Sequence, residues 1–290
     1  MTNTINGTEI SNIIMAEIKE EIAKYSDLGV PGIAVILIGD RKESLIYIKK
    51  KKEACNKVGI NISINNLATN VSNNEVYDLI DKLNNDNSIH GILVQLPIPA
   101  HLNEETILSK ISYLKDVDGF HALNMGNLAM ENRTPNFIPC TPLGCMEILK
   151  RENIELVGKH VVIVGKSNIV GLPMALLLLK EMATVTVCHV ETINMPVHLK
   201  MADIVISACG QPRLIKKEWL KEGVVIIDVG INTISDSNYK RGYRLVGDVD
   251  FDNVKEIAYK ITPVPGGVGP MTVAMLLSNT LKSFKQFMIE

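Results

Sequence analysis

No sign of charge dominates this chain: 30 lysines and arginines stand against 32 aspartates and glutamates, a formal net charge of -2 over 290 residues. A global field that would recruit nucleic acid or an anionic membrane is therefore excluded, and any charged partner has to be held locally. Cysteine is sparse as well. Cys55, Cys140, Cys145, Cys188 and Cys209 are scattered and odd in number, which argues against a disulfide framework and fits a reduced, cytoplasmic setting. Cys140 and Cys145 flank a Thr-Pro-Leu-Gly that reads as a helix start, with no histidine nearby, so no metal site is expected. The N-terminus lacks a basic stretch followed by an apolar core, and no apolar run approaches the length of a membrane span; neither secretion nor insertion is expected. Internal repeats and low-complexity tracts are missing too.

What remains is ordinary globular material. Hydrophobic residues make up 46% and charged residues 21%, and the length favours two domains with cores of their own. Apolar, β-rich runs recur at Ile33–Ile38, Ile60–Leu67, Gly91–Leu96, Val161–Val164, Ala183–Cys188, Ile204–Ser207 and Val224–Val229, with helical patterns between most of them. That alternation predicts an α/β protein with parallel sheets, because parallel strands need long crossovers. The turn-rich stretch from Pro97 to Gly144 separates the first three runs from the last four. Met271–Ile289 has helical apolar spacing and is expected to pack back on the first domain. The expected domains are 1–140 with 271–290, and 141–270.

The clearest chemical signal in the second half is Val161-Val-Ile-Val-Gly165-Lys-Ser-Asn-Ile-Val-Gly171-Leu-Pro, a buried strand running through a turn into an apolar helix. Gly165 permits the tight turn, Ser167 can cap the helix, and Gly171 lets the helix approach the sheet, so that helix amides face a pyrophosphate. The second strand of this domain ends at Cys188-His-Val190-Glu191-Thr192, where such folds read the adenosine ribose. A carboxylate at Glu191 would favour NAD through the 2′-hydroxyl, whereas Lys166 could supply a cation for the 2′-phosphate of NADP. A solvated loop is the alternative reading of Glu191.

In the first half, Ser44–Cys55 reads as a helix with four consecutive lysines. At about 100° per residue Tyr47 lies about 40° from Lys51, so one lysine of the run shares its face. Lys51 can then be a proton-transfer group whose pKa is lowered by burial and by neighbouring like charge; a fully solvated lysine face is the alternative. Val94-Gln95-Leu96-Pro-Ile-Pro delivers a polar side chain to the carboxyl end of a buried strand, where ligands collect. Lys115-Asp116-Val-Asp118-Gly-Phe is an acidic turn suited to capping amides or holding a polar heterocycle. Thr262–Thr272, with Pro263, Pro265 and Pro270 beside Gly266, Gly267 and Gly269, reads as neither helix nor strand: an interdomain loop or a ligand wall.

Together these segments resemble the methylenetetrahydrofolate dehydrogenase/cyclohydrolase family over essentially the full length, in order: Tyr47 with Lys51, VQLPIP from Val94, KDVDGF from Lys115, PCTPLG from Pro139, GKSNIVGLP from Gly165 and TPVPGGVGPMT from Thr262. The resemblance implies a folate-binding, three-layer α/β catalytic domain and a Rossmann-like dinucleotide-binding domain, with folate and cofactor in the cleft between them. It implies NADP-linked oxidation of 5,10-methylenetetrahydrofolate, with NAD as the alternative cofactor, followed by hydrolysis of the methenyl product to 10-formyltetrahydrofolate. Lys51 would transfer the proton, Tyr47 pack on the folate ring, Gln95 tune Lys51 and Asp118 hold the pterin nitrogens. Val94, Leu96 and the loop Pro265, Gly266, Gly267, Val268 and Gly269 would contact folate. Gly165, Lys166, Ser167, Val190, Glu191, Thr192 and Ile231 would contact the cofactor. A homodimer is implied, and neither nucleic acid nor membrane is an expected partner.

Overall fold

The computed structural model describes residues 3–237, 239 and 242–289; Met1, Thr2 and Glu290, at the ends of the expected first domain, lie outside them. The chain runs α1 (Gly7–Ala23), β1 (Gly32–Ile38), α2 (Lys42–Val58), β2 (Asn61–Leu67), α3 (Asn73–Asn84), β3 (Gly91–Val94), α4 (Glu104–Lys110), α5 (Ala122–Ala129) and α6 (Cys140–Arg151). It continues through β4 (His160–Val164), α7 (Gly171–Lys180), β5 (Thr184–Cys188), α8 (Met195–Met201), β6 (Ile204–Ser207) and β7 (Val225–Asp228). Last come β8 (Asn232–Ser235), β9 (Tyr243–Val246), α9 (Phe251–Val254), β10 (Lys260–Ile261) and α10 (Val268–Ile289). Contacts divide the chain into two units, 12–140 with 273–290 and 1–11 with 141–272. The first residues fall in the second unit because they pair with β10: Ile5 N donates to Ile261 O at 2.8 Å, and Ile261 N to Asn3 O at 2.9 Å.

In the unit 12–140 with 273–290, a three-stranded parallel sheet has the order β2-β1-β3. Every residue of β1 is buried, as an unbroken Ile-Ala-Val-Ile-Leu-Ile run requires when both faces of a parallel strand are covered. β2 lies at the edge and alternates in exposure. Ala34, Ile36, Ile92 and Val94 of the sheet pack with Val76, Ile80 and Ile107 of the neighbouring helices. The Ser72–Glu75 capping box fixes the start of α3. Its end is capped by the buried Lys115 ammonium, which donates to the carbonyls of Leu83, Asn84 and Asp86 at 2.8–3.1 Å.

The unit 1–11 with 141–272 holds a five-stranded parallel sheet in the order β10-β7-β6-β4-β5. Counted within the unit, the order is second, first, third, fourth, fifth, a doubly wound arrangement whose direction reverses between β4 and β6. Val162, Val164, Val205 and Ile226 of the sheet pack with Leu199, Leu220 and Val254. The antiparallel β8–β9 pair and the short β10 join the seven strands expected from sequence. α10 starts at Val268, not Met271, so Val268–Thr272 are helical rather than loop. Pro270 is tolerated there because first-turn amides have no intrahelical acceptor to lose. Among the described residues no helix is long and apolar enough to cross a membrane.

Candidate active site

Open parallel sheets bind ligands at the carboxyl ends of the strands where the order reverses, which in the unit 12–140 with 273–290 means the ends of β1 and β3. Gln95 is the first residue past β3 and is anchored there by its own backbone, N donating to Ile36 O at 2.9 Å. Its side-chain Nε2 donates to Leu96 O at 2.9 Å, which turns Oε1 outward. Lys51 Nζ, from α2, donates to that oxygen at 3.0 Å. Burial pushes the Lys51 pKa down, while Asp118, Cys140 and Cys55 pull it back up. The like-charge contribution expected from the lysine run is not what lowers it: Lys49, Lys50 and Lys52 point into solvent, and the charged neighbour that counts is the Asp118 carboxylate. Tyr47, one turn before Lys51, is 37% exposed. Val94 is buried at the end of β3, and Leu96 is half-buried.

Asp118 is positioned by its neighbours. Asp116 accepts from Phe120 N at 3.2 Å, His121 N at 2.8 Å and Asn124 Nδ2 at 2.8 Å, so the acidic turn closes on its first carboxylate. Val117 O accepts from Cys140 Sγ at 3.3 Å and from Asn279 Nδ2 of α10 at 2.9 Å. Gly119 turns at φ 77° where a Cβ would lie 2.6 Å from Pro139 N, so no other residue fits. Burial pushes the Asp118 carboxyl up, and Lys51 draws it back down. The amine and the carboxyl are each disfavoured in the charged form by burial, and each favours the charge of the other.

In the other unit the sheet order reverses between β4 and β6. Gly165, directly after β4, has φ 128°, and a Cβ on it would lie 2.3 Å from Ala208 O, directly after β6. A Cβ on Gly171, at the start of α7, would lie 2.0 Å from Gly165 O. Ser167 Oγ accepts from Val170 N at 3.1 Å inside the turn and does not cap α7, whose N-cap is Val170 with no side-chain cap; Lys166 and Ser167 are exposed. After β5, Thr192 Oγ1 accepts from His189 N at 2.8 Å, Glu191 is exposed, and Val190 is 89% exposed. Ile231, also exposed, follows β7, and a Cβ on Gly269 would touch its Cδ1 at 3.8 Å. Pro265 is exposed, Gly266 turns at φ 104°, Gly267 is buried against Thr262, Pro263 and Gly7, and Val268 is buried. Among the described residues no group of three or more potential metal ligands occurs.

Residues 5–118 match the family model for the tetrahydrofolate dehydrogenase/cyclohydrolase catalytic domain, and residues 139–288 match the model for its NAD(P)-binding domain. The chain belongs to the tetrahydrofolate dehydrogenase/cyclohydrolase family. It is 52% identical over 284 residues to the chloroplastic bifunctional protein FolD 4 of Arabidopsis thaliana, covering 97% of this chain and 79% of that one. The solved FolD dehydrogenase/cyclohydrolase of Campylobacter jejuni is 47% identical, with a TM-score of 0.91 over 97% of this chain and 98% of that one. The Trypanosoma brucei FolD complexed with NADP and an inhibitor is 42% identical, with a TM-score of 0.94 over 98% and 97%.

The family's dinucleotide fits the residues present. The Gly165 turn is bare of Cβ where strand ends meet, and the exposed Lys166 ammonium and Ser167 hydroxyl beside it are donors suited to phosphate; the helix amides expected from sequence contribute little, because Leu172 N already donates to Ser167 O at 2.9 Å and Pro173 has no N–H. Sequence reasoning missed Cys140 as a neighbour of Asp118. It also missed two buried aspartates, Asp228 at the end of β7 and Asp248 after β9. The available signal was a charged residue ending an otherwise apolar strand.

Proposed function

We propose that this chain oxidises 5,10-methylenetetrahydrofolate with NADP and hydrolyses the methenyl product to 10-formyltetrahydrofolate, with Lys51 as the proton-transfer group of the second reaction. The observation that carries this reading is the Lys51–Gln95 hydrogen bond at 3.0 Å, at a sheet-order reversal and under the influence of Asp118. Burial pushes the Lys51 pKa below its ordinary value, which favours the free amine the step needs. As water adds to the cationic methenyl carbon, the neutral amine takes the proton the water loses. When the bond from that carbon to N5 breaks, the remaining hydroxyl proton passes to N5 and the formyl group stays on N10. Gln95 Oε1 holds the amine in place through both steps. Tyr47 offers a ring face to the folate, and Asp118 offers its carboxylate to the pterin amino group and ring nitrogen. Val94 and Leu96 complete the folate contacts of the unit 12–140 with 273–290.

For the oxidation, the bound nicotinamide dinucleotide supplies the hydride acceptor, and the chain's work is positioning. Gly165, Lys166 and Ser167 hold the phosphates, Val190, Glu191 and Thr192 the adenosine end, and Ile231 the nicotinamide end. Lys166 supports NADP and Glu191 supports NAD as the alternative. A homodimer completes the proposal, and five free cysteines, four of them buried, support a reduced, cytoplasmic setting. The test is a spectroscopic assay of the purified chain with methylenetetrahydrofolate and either NADP or NAD, following methenyl product separately from reduced cofactor. Absence of turnover with both dinucleotides would sink the dehydrogenase reading.

A further inference from the structure

We propose that Asp248 is a positioning residue for the dinucleotide, holding the loops after β6 and β7 in register without touching the cofactor itself. This inference rests on the dehydrogenase reading above. The Asp248 carboxylate is fully buried and faces five donors. Oδ2 accepts from Ser207 Oγ at 3.2 Å, Cys209 N at 2.8 Å and Gly210 N at 3.2 Å. Oδ1 accepts from Gln211 N at 3.0 Å and Asn232 Nδ2 at 2.8 Å. One side chain thus ties the segment after β6 to the residue following Ile231.

Both loops border the nucleotide end of the sheet. The first begins at Ala208, whose carbonyl sets the space available to Gly165, and the second carries Ile231. Asp228 secures the assembly from the β7 side, accepting from Gly230 N and Asp248 N at 3.0 Å each and from Val249 N at 2.9 Å. Gly230 and Gly247 are required by this arrangement: a Cβ on Gly230 would lie 2.2 Å from Asp248 Oδ1, and one on Gly247 1.9 Å from Asp228 Oδ2. Every partner of the Asp248 carboxylate is a donor, so only a group that accepts on both oxygens satisfies the site. An asparagine placed there turns an NH₂ toward at least two donors in either orientation.

The test compares Asp248→Asn and Asn232→Ala with the unmodified chain by direct titration of NADP. The melting of the unit 1–11 with 141–272 is followed in parallel through Trp219, the single tryptophan, and cofactor-free cyclohydrolase turnover is measured. Loss of one buried hydrogen bond predicts about tenfold weaker NADP binding for Asn232→Ala, and the larger disruption in Asp248→Asn predicts a larger loss. Cyclohydrolase turnover stays within about twofold in both, because Lys51, Gln95 and Asp118 belong to the other unit. Should Asp248→Asn fail to fold, Asn232→Ala decides the matter alone, since it leaves the carboxylate with its other four donors. NADP affinity unchanged in Asn232→Ala overturns the inference, as does a parallel fall of both activities, which would mark a purely structural carboxylate. An unmodified chain that binds neither NADP nor NAD overturns this inference and the dehydrogenase reading together; one that binds NADP as tightly as its variants overturns this inference alone.

Discussion

Replacing Lys51 by methionine keeps the length and apolar stem of the side chain while removing the amine, so the variant isolates proton transfer from packing. General acid–base groups contribute about 10²–10⁴-fold, or about 3–5 kcal/mol of barrier, and that is the expected fall in kcat for hydrolysis of methenyltetrahydrofolate. Two stability effects oppose each other. Gln95 Oε1 loses its donor at 3.0 Å, at a cost of about 1–3 kcal/mol if the oxygen finds no water. Burial that depresses the amine's pKa also makes the ammonium form costly in the folded state, and methionine removes that cost. The net change in melting temperature is therefore small beside the catalytic loss. The control is Lys49→Gln, Lys50→Gln and Lys52→Gln in one chain: these side chains are exposed, screened by salt and worth little at a distance, and activity should stay within about twofold. The assay follows loss of methenyl absorbance without dinucleotide. Lys51→Met within threefold of the unmodified chain, or a triple variant as impaired as Lys51→Met, would refute the assignment.

Asp118→Asn removes the carboxylate that favours the Lys51 ammonium, so the Lys51 pKa falls further and the acid limb of the kcat profile for hydrolysis moves to lower pH; a limb that stays or moves up contradicts the coupling. Gly171→Ala forces a Cβ to within 2.0 Å of Gly165 O, which should cost about 1–3 kcal/mol, lower the melting temperature by several degrees and weaken dinucleotide binding, read by calorimetry and titration. His90 is buried, accepts Gly32 N–H on Nδ1 at 2.9 Å, and is held at a pKa of about 4 by burial and by Lys115, with Asp86 opposing. Because the unfolded chain binds that proton near pH 6.5, stability falls by up to about 3 kcal/mol as pH drops from 6.5 toward 4. His90→Asn keeps an acceptor for Gly32 without titrating, so urea midpoints should lose that part of their pH dependence.

Elements whose residues are set by local pattern were legible. The unbroken apolar runs at 33–38 and 161–164 could only be strands covered on both faces, and the helical spacing of Tyr47 and Lys51 placed them on α2. Asp116 read correctly as a capping carboxylate. β8, β9 and β10 were not legible: Asn-Thr-Ile-Ser is too polar and Lys-Ile too short to stand out; β8 and β9 form by pairing with each other, and β10 forms because β7, distant in sequence, lies beside it. The start of α10 was misplaced because prolines and glycines mark a break equally well before a helix and within its first turn. Most of the site lay beyond pattern altogether. Gln95 is 44 residues from Lys51, and nothing local to either predicts their hydrogen bond; the family resemblance brought them together on paper, and tertiary packing does so in the structure.

The buried aspartates explain why those same loops can be irregular and still precise. Asp116 in one unit and Asp228 with Asp248 in the other all lie inside, and each accepts from backbone amides of irregular segments: Asp116 from Phe120 and His121, Asp248 from the segment after β6, Asp228 from the segments after β7 and β9. A loop held by water must lose conformational freedom when a ligand arrives, at about 1–2 kcal/mol for each residue ordered. A loop whose amides already point to an internal carboxylate has lost that freedom on folding, so the ligand meets a preformed surface and more of its contact energy appears as affinity. These aspartates are therefore expected to serve binding through the loops they order, and it is the donors around them, rather than their own positions in the sequence, that point to it.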